Sequence, residues 1–220
     1  MYSIGAVTSA SLASARQPYE SDPLVVHGPR RLLRYATPAD VPRLFDLAAD
    51  PAVTRFFSWG PYTTLEQPES YITSLPARRE SGDLLDFLVI DPDAGPVGVT
   101  GLSEVARRDR RATVGSWLGH EWWGSGANFE AKAMISALAF RRLGFERLTA
   151  WANTRNGRSQ RALERIGFRR EGVLKAWHRH GDEVHDVVIF ALLRGAWERS
   201  ALHDVPVTIE GSAPEAFSLS

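Results

Sequence analysis

The stretch Trp117-Leu118-Gly119-His120-Glu121-Trp122-Trp123-Gly124-Ser125-Gly126-Ala127-Asn128 limits what this chain can fold into more than any other. A strand-like apolar pattern ends there, two glycines permit a tight turn, and a long helical pattern begins. Phe129, Ala133, Ala137 and Phe140 recur at three- and four-residue steps, and Gly144 stands where a C-terminal cap belongs. The spacing predicts a helix over 127–143. Main-chain N–H groups at the head of a helix lack intrahelical partners, and the helix dipole adds partial positive charge. Small side chains let a phosphate come close to the backbone. The junction therefore reads as an anion site suited to a diphosphate, or as a plain turn, since short Gly-x-Gly matches are common. A Walker loop is not matched, because its lysine and spacing are missing. Phe129 stands where a dinucleotide fingerprint needs its third glycine.

Around this junction the pattern predicts a strand over 31–35 and a helix over 40–49, capped by Asp40 with Pro42 in its first turn. A second helix over 65–79 follows. Strands are expected at 86–90, 97–102 and 113–118, the first two joined through Asp91-Pro92-Asp93-Ala94-Gly95. Beyond the long helix come a strand over 147–151, a short helix over 159–165, and strands over 168–176 and 184–193. Antiparallel strands followed by interleaved helices indicate an α+β domain with a mixed, mostly antiparallel sheet. Residues 1–23 read as a flexible N-terminal arm, 24–200 as one domain, and 201–220 as a loose tail.

With 44% hydrophobic residues, ten Phe and seven Trp, the chain has ample material for a core. Lys plus Arg equals Asp plus Glu at 26 each, which argues against nucleic acid as a partner. The absence of cysteine removes disulfides, thiolate metal sites and any acyl-cysteine intermediate. No run of about eighteen apolar residues is present, so no membrane span is expected. The first fifteen residues lack a basic region and an apolar stretch, and a cytoplasmic location is expected.

The stretch from Val114 through Lys132, together with Asn153-Thr154-Arg155-Asn156-Gly157-Arg158-Ser159 and the later Ile166-Gly167-Phe168, resembles GNAT superfamily N-acetyltransferases. The closest flavour is the ribosomal-protein N-terminal acetyltransferase branch. The resemblance spans roughly residues 24–198. It implies a sheet whose central strands splay apart and hold the pantetheine arm of acetyl-CoA as co-substrate. By that resemblance Trp117, Leu118 and Gly119 pair with the arm. The N–H groups of Trp123, Gly124, Ser125, Gly126, Ala127 and Asn128 hold the diphosphate. Asn156 bonds the arm, and Ser159 sits near the thioester sulfur. The implied acceptor is a small-molecule amine or a peptide, with no metal involved.

Direct attack of an amine on a thioester needs a neutral amine, donors for the oxyanion, and a proton for the leaving thiolate. Ser159 is the expected acid; a plain helix N-cap is its competing use. Many relatives place a glutamate two residues before the position of Gly115, where this chain has Thr113. Glu104 is the substitute candidate for the base and for acceptor contact, against the alternative of a solvated carboxylate. Trp59 and His178 are candidate acceptor contacts; their competing uses are a core aromatic and an exposed hairpin histidine. Three functions stay open at this stage. They are acetyl transfer from acetyl-CoA, transfer from another acyl-CoA or an acyl carrier protein, and a CoA-binding regulatory module. Oligomeric state, a homodimer included, is not legible.

Overall fold

In a computed structural model, residues 23–180 and 182–219 are described; apart from Pro23, the expected N-terminal arm lies outside them. The short strands β1 (Val25–His27) and β2 (Leu32–Arg34) form a hairpin. Helices α1 (Val41–Ala48), the one-turn α2 (Pro51–Thr54) and α3 (Glu66–Glu80) follow. An antiparallel run of β3 (Leu84–Asp91), β4 (Gly95–Ala106) and β5 (Arg111–Leu118) leads into helix α4 (Ala127–Ala137). Then come β6 (Arg147–Asn153), α5 (Gly157–Arg165), β7 (Arg169–His180), β8 (Glu183–Leu193), α6 (Arg194–Trp197) and β9 (Thr208–Glu210). Together the strands make one mixed sheet in the order β7-β8-β6-β5-β4-β3-β2-β1-β9, the α+β arrangement expected.

Helices cover both faces of the sheet. On one face α4 is buried nearly all round, and Ala131, Met134, Ile135 and Leu138 are fully inaccessible. Its alanines carry little side-chain bulk, which lets the backbone lie close to the strands. Glu130 anchors this helix to the β1–β2 turn. Its carboxylate accepts from the main-chain N–H groups of Arg30 (2.7 Å) and Arg31 (2.8 Å) and from the Arg31 guanidinium (3.0 Å). On the other face, Leu44 of α1 and Ile72 of α3 pack with Leu88 and Val99.

The junction between β5 and β6 is only briefly paired. β5 and β6 run parallel but share only three positions, Arg111 with Arg147, Ala112 with Leu148 and Thr113 with Thr149. Past these, β5 stays with β4 and β6 stays with β8. The two central strands therefore part, leaving a wedge between them.

The first helix has Asp40 as its N-cap residue and Pro42 in its first turn, as expected; the 3-10 turn Pro38–Asp40, capped by Thr37, leads into it, and the Asp40 carboxylate accepts the Thr37 N–H at 2.8 Å. Two expectations need correction. The long helix does not stay α-helical to its end, because Leu138–Arg142 forms a π turn before Gly144, at φ +83°, closes it. The segment after Ala201 is packed and not loose. β9 pairs with β1, Leu202 and Phe217 are fully buried, and the Arg107 guanidinium donates to the carbonyls of Glu215, Ala216 and Ser218.

Candidate functional site

The wedge between β5 and β6 opens into a cavity of about 770 Å³. Thr113 through Leu118 form one wall, Ala150 through Asn153 the facing wall, and α5 and the glycine turn close the ends. Of the expected donor contacts, Trp117, Leu118, Trp123, Gly124, Gly126, Asn128, Asn156 and Ser159 all line it. Gly119, Ser125 and Ala127 do not. The Gly119 N–H is spent on the Val97 carbonyl at 3.0 Å, so it is turned toward β4. Ser125 braces the turn: its hydroxyl donates to the Trp122 carbonyl (2.8 Å) and accepts from the Ala127 N–H (3.3 Å).

The turn needs its glycines for backbone conformation. Gly124 and Gly126 adopt φ of +80° and +86°, and a Cβ built on either would meet nothing within 4 Å. The left-handed region disfavours any other residue there. That open space lies directly in front of the α4 N-terminus, where unpaired N–H groups and the helix dipole favour an anion. Trp123 holds the turn to both walls. Its indole N–H donates to the Leu118 carbonyl at 3.0 Å, and the Arg158 guanidinium of α5 lies over its ring.

Asn156, not Ser159, caps α5. The Asn156 side-chain oxygen accepts the Ser159 N–H at 3.1 Å, and the helix begins at Gly157. The cap role weighed for Ser159 is therefore filled by another residue. Ser159 is half-buried and lines the cavity, and its hydroxyl has no capping duty.

Glu104 also reaches the cavity. The pairing of β4 with β5 shifts register between Ser103 and Ala106, and Glu104 sits in this bulge at φ +50°. Bulges re-aim side chains. The Thr113 hydroxyl donates to the Glu104 carboxylate at 2.7 Å, so a carboxylate stands beside the β5 position that lacks one of its own.

Among the cavity residues that the sequence reading did not single out is a buried lysine. Lys132, on α4, is 4% exposed and lines the cavity, and its ammonium donates to the Ser116 hydroxyl at 2.7 Å. Burial pushes its pKa down to about 7. The available signal was a lone lysine inside a helix otherwise rich in Ala, Met and Ile.

Two expected acceptor contacts lie outside the cavity. Trp59 is half-buried in an aromatic cluster with Phe57, Tyr62 and Trp117. His178 is 8% exposed and packs on Trp151, and burial lowers its pKa. It is therefore no exposed hairpin histidine. Phe56 and Phe57 line the cavity in their stead. Phe56 and Asn153 are shared with a second recess of about 480 Å³, bordered by Arg55, Arg155, His180, Glu183 and His185. Among the described residues, no group of His, Asp and Glu is arranged to hold a metal ion, and no helix is long and apolar enough to cross a membrane.

Residues 30–169 match the acetyltransferase (GNAT) domain family. An uncharacterized N-acetyltransferase, p20 of Bacillus licheniformis, is 27% identical over 166 residues, covering 75% of this chain and 93% of the relative. The [ribosomal protein uS5]-alanine N-acetyltransferase of Escherichia coli is 31% identical over 121 residues, covering 54% and 62%. The solved structure of RimL, a ribosomal L7/L12 α-N-protein acetyltransferase in complex with coenzyme A, superposes with a TM-score of 0.69. It is 21% identical and covers 76% of this chain and 96% of that one, a likeness of fold. The splayed sheet, the glycine turn heading a buried helix, and the family match over most of the domain lead to one conclusion: this chain belongs to the GNAT acetyltransferases and is an acyltransferase enzyme.

Proposed function

We propose that the protein transfers an acetyl group from acetyl-CoA to a primary amine, of a small molecule or a peptide N-terminus, by direct attack. The observation that carries this reading is the wedge: an unpaired stretch of β5 leads straight to an open, glycine-built helix N-terminus. A pantetheine arm has amides that suit an unpaired strand edge, and its diphosphate suits the turn. The coenzyme A named for RimL and the ribosomal-protein alanine named for the E. coli relative support donor and acceptor class respectively. The lack of cysteine fits a reducing compartment such as the cytoplasm.

In this reading the turn and α4 N–H groups hold the diphosphate, and Asn156 steadies the arm with the amide nitrogen its cap leaves over. The acceptor enters past Phe56 and Phe57. A free alkylamine is protonated near neutral pH, so its proton must be taken up, and the Glu104 carboxylate is placed to receive it. The amine nitrogen attacks the thioester carbonyl and main-chain donors of β5 steady the oxyanion; as the C–S bond breaks, the Ser159 hydroxyl protonates the departing sulfur and the proton leaving the new amide nitrogen restores that hydroxyl.

The deciding assay follows CoA thiol release from acetyl-CoA against a panel of amines and short peptides with free N-termini. Release that requires an added amine, with the acetyl group found on that amine, supports the reading. Tight acetyl-CoA binding with no release for any acceptor removes it.

A further inference from the structure

Of the 26 cationic residues counted as Lys plus Arg, only Lys132 and Lys175 are lysines. Lys175 is exposed and ion-paired with Asp186 at 2.8 Å. Lys132 is its opposite, enclosed on α4 beside Ser116 in the wall of the donor cavity. The residue type matters. A guanidinium keeps its charge in any protein setting, whereas a lysine can shed its proton and become a nucleophile.

Hydrogen bonding fixes how this amine is held. The hydroxyls of Thr100 and Ser116 lie 2.6 Å apart, and both reach the Gly115 carbonyl, at 3.0 and 2.7 Å. Their hydrogens are used on that carbonyl or on each other. Ser116 therefore offers a lone pair, and Lys132 donates to it across 2.7 Å. A neutral amine that donates one N–H keeps its own lone pair free. Desolvation alone moves the group, with no charged neighbour acting on it, and leaves it at about 7. A substantial neutral fraction is thus present near neutral pH.

The same cavity is where the proposed donor lies. An arm that follows β5 from the glycine turn past Leu118 and Trp117 brings its acyl end toward Ser116, within reach of Lys132. We infer that Lys132 is a self-acylation site, an internal amine that takes the acetyl group from bound acetyl-CoA when no external acceptor competes. This rests on the acetyl-CoA reading above. The Lys132 nitrogen attacks the thioester carbonyl, the C–N bond forms, and the C–S bond breaks. The proton lost from nitrogen goes to the departing sulfur, so the products are an amide on Lys132 and free CoA thiol. The amide retains one N–H for Ser116 and adds a neutral group to the cavity wall. Modification therefore crowds the donor site and slows turnover, a brake that engages when donor is plentiful and acceptor scarce.

The test incubates the full chain with acetyl-CoA carrying an isotopically labelled acetyl group and maps the label by peptide mass spectrometry. Label should accumulate on Lys132 to near-stoichiometric extent, with a first-order rate independent of protein concentration. A saturating acceptor should slow it several-fold. Lys175→Arg should leave the mark intact and Lys132→Met should abolish it, with the melting profile of each confirming folding. If Lys132→Met does not fold, the location of the label in the wild-type chain still decides. Label confined to Lys175 or the amino terminus overturns the inference. So does acetylation of an external amine with Lys132 unmarked, which leaves the proposed function standing. No label and no thiol release with any amine takes down both.

Discussion

The Thr113 hydroxyl donates to the Glu104 carboxylate at 2.7 Å, across a bulge in the β4–β5 pair that turns Glu104 to φ +50°. A residue of one strand is thereby brought to a position that the neighbouring strand does not furnish with an acid. Glu104→Gln keeps an acceptor for Thr113 but cannot take a proton. Turnover should fall about 10²-fold, with acetyl-CoA affinity by calorimetry unchanged. Thr113→Val, which only frees the carboxylate to wander, should cost several-fold less.

Ser159 and Asn156 stand three residues apart with different work, and substitution should separate them. Ser159→Ala removes a hydroxyl with no capping bond, so the melting temperature should hold while turnover drops by about tenfold or more. Asn156→Ala removes the cap of α5 and should cost about 1 kcal/mol of stability, seen in denaturant titration. A Ser159→Ala enzyme with full turnover would remove Ser159 from the mechanism.

Gly126→Ala meets no neighbour but forces an alanine to φ +86°. The strain is about 1–2 kcal/mol, and relaxing it displaces the N–H groups at the α4 head. Weaker acetyl-CoA binding should accompany the stability loss. Gly115→Ala has no positive φ and no neighbour within 4 Å, so it should fold normally while its new methyl group intrudes on the donor cavity. Unchanged donor affinity in both variants would place the donor elsewhere.

Asp86 supplies a pH signature of the fold. It is half-buried beside α3, its carboxylate accepts the Tyr71 hydroxyl at 2.6 Å, and the loss of surrounding water raises its pKa to about 6. An unfolded aspartate titrates at about 3.9, so the folded chain holds this proton more tightly. The stability contribution is full below the unfolded value and lost as pH rises through about 6. Asp86→Asn still accepts from Tyr71 and carries no charge. It should melt higher than wild type at about pH 8, by an amount on the order of 2 kcal/mol, and the gap should close near about pH 4.

What was legible in the sequence was local or periodic. The long central helix, the glycine turn and the strands flanking it follow from apolar spacing and from the backbone freedom of Gly124 and Gly126. Trp117, Leu118, Trp123 and Asn156, expected at the donor from motif position, line one cavity. The short elements β1, α2, α6 and β9 escaped because three or four residues repeat a pattern too few times to stand out, although the equally short β2 was expected.

Only the tertiary structure decided matters that depend on residues far apart in the chain. The parting of β5 and β6 arises because each keeps a different partner strand, a choice made across the whole sheet. Trp59 and His178 stand outside the cavity because they pack against other aromatic residues. Lys132 became chemically distinct because α4 buries it against Ser116, and a side chain's proton affinity depends on the dielectric and the partners around it. Order along the chain sets which residue types are present; packing sets which of them lose water, and that loss is what turns an ordinary amine or carboxylate into a reactive one.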